Sequence, residues 1–137
     1  MSKYLILVLE GPMQSWGLQG RYELRDTSPL PTKSGVVGLL GSALGVGRGD
    51  ANSIAELASL NMTAFCAIPG ELLTDFHTVG HNHTHEGATL VNSKGGLKNG
   101  GIVTHRDYLC GARFVVVLSG GSKLLSSCAV ALDNPKW

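Results

Sequence analysis

The chain has 137 residues, which suits one domain and is short for two. Lys and Arg number 11 and Asp and Glu 10, a formal net charge of +1, so bulk charge does not mark a nucleic-acid binder and any such activity must come from local placement. A hydrophobic fraction of 43% against 15% charged excludes a disordered chain, and the 19 glycines follow no collagen period.

Tyr4-Leu-Ile-Leu-Val-Leu9 is apolar at every position, the pattern of a central strand buried on both faces. Gly11-Pro-Met-Gln-Ser-Trp-Gly17 stops it and opens a polar loop that runs to Pro31. Val36, Leu39, Leu40, Ala43 and Leu44 then share one face of a helix that Thr32 or Ser34 can cap and Gly45 can end. Gly35, Gly38 and Gly41 within it each cost about 1 kcal/mol against Ala, which makes sense where something packs closely on that helix. Asp50 begins a second helical stretch in which Ser53-Ile-Ala-Glu56 has capping-box spacing. Met62–Ile68 alternates as a strand, Pro69-Gly70 signals a turn, and Leu72–Val79 reads as a further strand. Residues 80–101 are polar and rich in Gly, Asn and His, hence a long loop or hairpin tip, with Ile102–Leu109 pairing back on 72–79 as the stem. Phe114-Val-Val-Val-Leu118 is a core strand, and Gly120-Gly-Ser122 caps a last helix with Leu124, Leu125, Cys128, Ala129 and Leu132 on one face, ended by Asp133-Asn-Pro135.

Strand, helix, strand, long hairpin, strand, helix is the α+β order of a ferredoxin-type split βαβ sheet, less its last strand. One sheet position is thus expected to be filled by another chain or by further polypeptide. Cys66, Cys110 and Cys128 are odd in number and form no CxxC pair, so neither a disulfide framework nor a thiolate zinc site is expected. Tyr4–Leu9 lacks the length of a secretory signal, and the apolar stretch Ser34–Gly47 falls short of the ~20 residues of a membrane helix, so a cytoplasmic, membrane-free protein is expected.

Several constellations invite chemistry. His81, His83 and His85 alternate beside Glu86, a zinc-capable set on an extended chain, though a solvated polar loop has the same composition; no metal or cofactor is called for. His77 and His105 sit on opposite stem strands; facing each other near Tyr108 and Lys33 they could cleave RNA by acid–base chemistry, or they could orient the stem by hydrogen bonds. Lys33-Ser-Gly35 at a helix start offers an ammonium, a hydroxyl and free N–H groups as a phosphate cradle, or simply a solvated lysine beside a cap. Gly45-Val-Gly-Arg-Gly49 lacks a Walker ending. Trp16, Arg21, Tyr22 and Arg25 interleave rings with cations, which suits splayed single-stranded RNA, although Trp16 can equally plug the edge of the core. Arg113 interrupts an apolar strand and needs a partner.

Four blocks, Gly11–Gly17, Pro31–Gly41, His105-Arg-Asp-Tyr-Leu109 and Leu132–Trp137, together resemble the CasD family, the 5′-handle-binding RAMP subunits of type I-E Cascade, the CRISPR surveillance complex. They stand in the family's order across nearly the whole chain. The resemblance implies one RRM-like RAMP domain over 1–137 with a β-hairpin thumb at about 78–104. It implies a non-catalytic subunit that caps the 5′ handle of the crRNA, touches a backbone subunit and the large PAM-reading subunit, and meets target DNA indirectly. In type I-C relatives the equivalent subunit cleaves RNA, so a metal-independent endoribonuclease is the alternative.

Carried over by position, the resemblance implies RNA-binding roles for Met13, Gln14 and Trp16, for Lys33 and Ser34, and for Arg106 and Tyr108. Trp16 and Tyr108 would stack on bases, Lys33 and Arg106 neutralise phosphate, and Gln14 and Ser34 contact sugar or base; His77 and His105 come second. The family continues past Pro135-Lys-Trp137 into a Gly-Arg-rich segment, so a second chain supplying that part is an expected partner. Leu90, Val91 and Leu97 are the apolar options for the thumb's wedge.

Overall fold

The computed structural model describes residues 4–20, 23–79, 90–91, 97–98 and 102–137, of which 79, 90, 91, 97 and 98 are described by backbone alone. Strands β1 (Tyr4–Glu10), β4 (Asn61–Ile68) and β9 (Arg113–Ser119) form an antiparallel sheet in the order β1-β9-β4. Helices α1 (Lys33–Leu44), α2 (Ala51–Ala58) and α3 (Ser122–Asp133) supply the helical side of the core. Alternation along β9 buries Phe114, Val116 and Leu118; Val116 and Leu118 meet Leu7, Val36, Leu40, Leu57, Leu60, Leu125 and Cys128, whereas Phe114 clusters with Leu109 and Ala112. Burial also pushes the Cys128 thiol up from its ordinary pKa, which keeps it neutral in the core.

The second sheet is built on β8 (Ile102–Cys110). One edge of β8 pairs antiparallel with β5 (Glu71–Val79); the other pairs with β2 (Met13–Gln14) and, in parallel, with β3 (Leu24–Arg25). The expected stem is therefore present in full register, from Glu71↔Cys110 to Val79↔Ile102. The two sheets are one long ribbon bent once. Ile68↔Arg113 closes β4·β9 and Glu71↔Cys110 opens β5·β8 without a slip, so Pro69-Gly70 and Gly111-Ala112 face each other at the bend. Gly70 takes φ 72°, and a Cβ there would lie 2.6 Å from the Cys110 carbonyl oxygen, so both backbone conformation and space demand glycine. Short strands β6 (Leu90–Val91) and β7 (Leu97–Lys98) pair with each other. The remaining residues of the expected thumb tip, with His81, His83, His85 and Glu86, lie outside the described residues, as do Arg21 and Tyr22. No helix among the described residues is long and apolar enough to cross a membrane.

Two local expectations change. Among the described residues β1 is an edge strand, not a central one, and only its inner face is covered: Tyr4, Ile6 and Val8 are 62–63% exposed. An unbroken apolar run fixes the strand but cannot say which chain covers its second face. In α2 the cap is Asp50, not Ser53. The Asp50 carboxylate accepts from the Ser53 N–H at 3.1 Å and from its hydroxyl at 2.6 Å, so Ser53 is the inner partner of the cap. At α3 the N-cap is Gly121, with no side-chain bond to it. Thr32, rather than Ser34, caps α1 by accepting from the Gly35 N–H at 3.3 Å, and Gly45 ends that helix as expected.

Of the three glycines in α1, the one with a tight neighbour is Gly35. A Cβ there would come within 2.8 and 3.0 Å of the Trp16 ring, whereas at Gly38 it would meet nothing within 4 Å. Gly38→Ala should therefore stabilise the fold by about 0.5–1 kcal/mol through helix propensity. Gly35→Ala should destabilise by about 1–3 kcal/mol, because ring and helix must part. Urea unfolding of the two variants should show opposite signs. The hydrogen bonds from Ser53 hold the Asp50 carboxyl below its usual pKa. The stability they contribute is present above the ordinary carboxylate pKa and fades as pH falls through the lower folded value. Asp50→Asn, which keeps an acceptor, should flatten that acid limb in unfolding curves between about pH 5 and about pH 2.

Candidate nucleic-acid interface

Register sorts the stem residues onto two faces, because directly opposed residues in a ladder share a side. Tyr108 lies opposite Leu73, Arg106 opposite Asp75 and Thr104 opposite His77, so Tyr108, Arg106, Thr104 and His77 share one face. On the other edge of β8 Arg25 pairs with Arg106 and Met13 with Cys110, which adds both to that face. The opposite face carries Leu72, Phe76, Leu24 and Val103, all exposed, with His105, Thr74 and Asp107. There Phe76 and His105 pack edge to face at 5.2 Å between ring centroids, and the Thr74 hydroxyl donates to Asp107 at 2.6 Å.

The first face carries both arginines of the stem, Arg25 and Arg106, together with two acids, Asp75 opposite Arg106 and Glu71 opposite Cys110. Arg106 is held rather than loose: its Nε donates to the Thr104 hydroxyl at 3.2 Å, and that hydroxyl donates to the His77 carbonyl at 3.3 Å, with Thr104 itself buried. Beside it stands Arg25, an exposed like charge in direct cross-strand register. Neither guanidinium makes an ion pair among the described residues, since the Asp75 carboxylate lies 3.8 Å from His77 Nδ1 instead. Opposed like charges are locally unfavourable, and an anion lying across the two would relieve that.

The loop that delivers Arg25 is tied down along its length. The Trp16 N–H donates to the Thr27 hydroxyl at 2.8 Å, the Ser28 N–H to the Trp16 carbonyl at 2.7 Å, and the His105 N–H to the Glu23 carbonyl at 2.8 Å. Arg25 was legible in sequence only as part of a ring-and-cation stretch. Its parallel pairing with β8 is a tertiary fact that no local pattern announces.

The other expected site residues divide. Gln14 is spent on the backbone, its amide donating to the Ala112 carbonyl at 2.7 Å and to that of Leu9 at 3.4 Å. Trp16 packs against both hydrophobic clusters and on Gly35, with its buried indole N–H unpartnered among the described residues; it fills the core edge. Lys33 turns its ammonium to the Leu60 carbonyl, which ties α1 to the start of β4 rather than offering a free charge at the helix start. Ser34 is exposed, its hydroxyl 3.5 Å from that of Thr32. The expected His77–His105 pair does not form, because the two sit one register step apart and on opposite faces. Arg113 has the partner it needed: its Nη2 lies 2.5 Å from Glu10 Oε1, and the bond holds the Glu10 carboxyl below its ordinary pKa. Among the described residues no three His, Cys, Asp or Glu side chains gather as a metal site.

Comparison with known proteins places this architecture. The chain is 38% identical over 145 residues to the CRISPR system Cascade subunit CasD of Escherichia coli (strain K12), a match covering 100% of this chain and 63% of that protein. It is similar to a solved chain described as a CRISPR RNA-guided surveillance complex, with a TM-score of 0.85 and 36% identity over 98% of this chain and 55% of that one. A second solved structure, described as a Cas protein, matches at a TM-score of 0.68 and 35% identity over 98% of this chain and 54% of that one. The chain thus spans between about half and two thirds of the length of these relatives. Since the family model described as CRISPR-associated protein (Cas_Cas5) also matches residues 4–137, the chain belongs to the Cas5 family of CRISPR-associated proteins.

Proposed function

We propose that this chain is a non-catalytic, crRNA-binding subunit of a type I-E Cascade-like assembly in the cytoplasm, and that it grips the 5′ handle of the guide on the face of the stem that carries Arg25 and Arg106. The observation that carries the reading is the pair Arg25 and Arg106, adjacent in register, one of them fixed by Thr104, and without an ion-pair partner among the described residues. Phosphates of a single strand lying along β8 would bridge the two guanidiniums. Tyr108 and Met13 on the same face offer a ring and a thioether to splayed bases, and His77 a polar edge. Lys33 and Ser34 stand apart from this set, at the first turn of α1 against Trp16, which packs with Leu109 on the other face; a contact of theirs with the guide would be a separate one.

The finer architecture belongs to the same proposal. The order β1-β9-β4 supplies the first three strands of a ferredoxin-type sheet in one RAMP domain, and the β5·β8 ribbon is the base of a thumb reaching toward a neighbouring backbone subunit. The likeness to a Cascade subunit supports contact with other subunits of such a complex, and a large PAM-reading subunit is the partner proposed here. RNA cleavage by paired imidazoles has no support in the stem, because His77 and His105 present to opposite faces.

In assembled complex, Arg25→Ala with Arg106→Ala should weaken retention of a handle-bearing RNA about 10–100-fold and lower the dependence of log affinity on log salt by about 1.4, two single-strand phosphates' worth. Phe76→Ala and His105→Ala, on the other face, should leave both quantities unchanged. Equal loss from both pairs, or no loss from the arginines, refutes the assignment. Specific cutting of repeat RNA in EDTA that is abolished by His77→Ala would establish the enzyme instead.

A further inference from the structure

Gly35 and Gly41 of α1 have partners within the chain: Trp16 for the first, and Leu57 and Val46 for the second, each 3.8 Å from where a Gly41 Cβ would stand. Gly38 faces open space, although it costs the helix about 1 kcal/mol against Ala. That space is a groove of about 790 Å³ between α1 and α2. α1 lines it with Val37, Gly38 and Gly41, α2 with Ile54 and Ala58, and Trp137 stands beside them. The segment carrying Trp137 is strapped to α1, since the Lys136 N–H donates to the Ala43 carbonyl at 3.1 Å. The indole is thus held at the groove, yet it remains 71% exposed. The charged side chains of the lining are Lys33, from the start of α1, and Arg48, from beyond its end. No acidic side chain joins them. Neither cation forms an ion pair among the described residues, and the Asp50 carboxylate, close to Arg48 in sequence, is turned to Ser53. Lys33 spends one of its donors on the Leu60 carbonyl, which leaves its charge uncompensated.

We infer that this groove takes an amphipathic helix from another subunit of the assembly, with an apolar stripe for its interior and carboxylates at both ends of that stripe for Lys33 and Arg48. The argument for that occupant is charge complementarity around an apolar lining: two cations, no anion, and aliphatic and indole surface between them. A helix fits better than a strand, because both walls are helices whose main-chain groups are bonded within themselves and offer a partner side chains alone. The 12 residues of α1 set the stripe at about two to three turns, roughly 18 Å. Gly38 then has a reason, since the absent side chain lets the incoming helix approach closely. A phosphate backbone fits less well, because its affinity comes from unpaired cations and one of the two here is already bonded to a carbonyl. The inference rests on the assembly proposed above but not on the RNA face, since α1 and α2 take no part in the stem sheet.

The test compares the free chain with the assembled complex. Carbodiimide coupling, which joins a lysine amine directly to a carboxylate, should link Lys33 to an Asp or Glu of a second subunit. Arg48→Lys should add a link to the same helical segment of that subunit. Hydroxyl-radical labelling of Trp137 should fall at least about fivefold on assembly, as its 71% exposure is removed. Gly38→Leu, which fills the groove, should restore that labelling, and Arg48→Glu should weaken incorporation of the chain into the complex about tenfold. Circular dichroism would show that each variant is folded, and Lys123→Glu on α3 serves as the unaffected control. Equal labelling of Trp137 in chain and complex overturns the inference. So does coupling of Lys33 to this chain or a second copy alone, ultraviolet cross-linking of Trp137 to RNA, or protection that survives Gly38→Leu. A chain that never enters the complex refutes the assembly reading together with this one, whereas an assembled complex with a bare groove refutes this one alone.

Discussion

The fit of Trp16 against Gly35 is the contact on which the rest of the molecule turns. Trp16 and Leu9 pack against both hydrophobic clusters, the one under the helices and the one around Leu109, Ala112 and Phe114 at the root of the stem. Without that ring, Leu9 and the bent ribbon would be left to join the two clusters. Burying most of an aromatic side chain of 150–250 Å² is worth about 3–5 kcal/mol at about 25 cal/mol per Å². The unpartnered indole N–H costs about 1–3 kcal/mol, so burial wins and the ring stays in place. Gly35 is the complementary half: the helix tolerates its poor propensity because any larger residue would push the ring out.

From that joint the geometry of the stem follows. The loop after β1 is pinned at Trp16 by Thr27 and Ser28 and at Glu23 by His105, so β2 and β3 are laid along the second edge of β8. A two-residue strand has little stability of its own; its pairing persists because both of its ends are fixed. The cost of the arrangement is local. Two arginines face the same side in adjacent strands; the Thr104 bond fixes one of them, and Asp75 stands opposite Arg106 in register without forming an ion pair with it. A repulsive pair held in order is a preorganised anion site, in which the ordering cost is met during folding and not at binding.

The order of elements was legible in the sequence because it rests on local chemistry. Thr32 and Gly45 bracket α1, Pro69-Gly70 marks the bend, and the apolar runs 4–9 and 114–118 are strands. The stem was legible too, since Leu72–Val79 and Ile102–Leu109 match in length and alternation. What the sequence hid was register and partnership. A slip of one residue decides whether His105 opposes His77 or Phe76, and spacing alone cannot resolve that across a long excursion. Lys33, Gln14 and Trp16 have the chemistry of ligand-binding groups, yet each is engaged by the chain's own backbone or core. Local pattern identifies the donor and never the acceptor. Arg25 was undervalued for the same reason, its worth depending on Arg106, far away in sequence.

The two open surfaces of the molecule differ in kind, and that difference separates their partners. The outer face of the β1-β9-β4 sheet presents Tyr4, Ile6, Val8, Val115, Val117 and Phe65, and its ionic residues Glu10 and Arg113 neutralise each other. A phosphate backbone gains little there, because its affinity comes from releasing counterions to unpaired cations. Such a face, continuous with the unguarded edge of β1, gains most from apolar polypeptide, and left bare it would invite association. The stem face has the opposite balance: it exposes little of the core, yet carries two guanidiniums without carboxylate partners among the described residues. With a net charge of only +1, the protein has no long-range field with which to attract RNA in general. Its selectivity for one end of a guide would then rest on two fixed arginines and the rings beside them, and on whatever assembly presents the handle to that face.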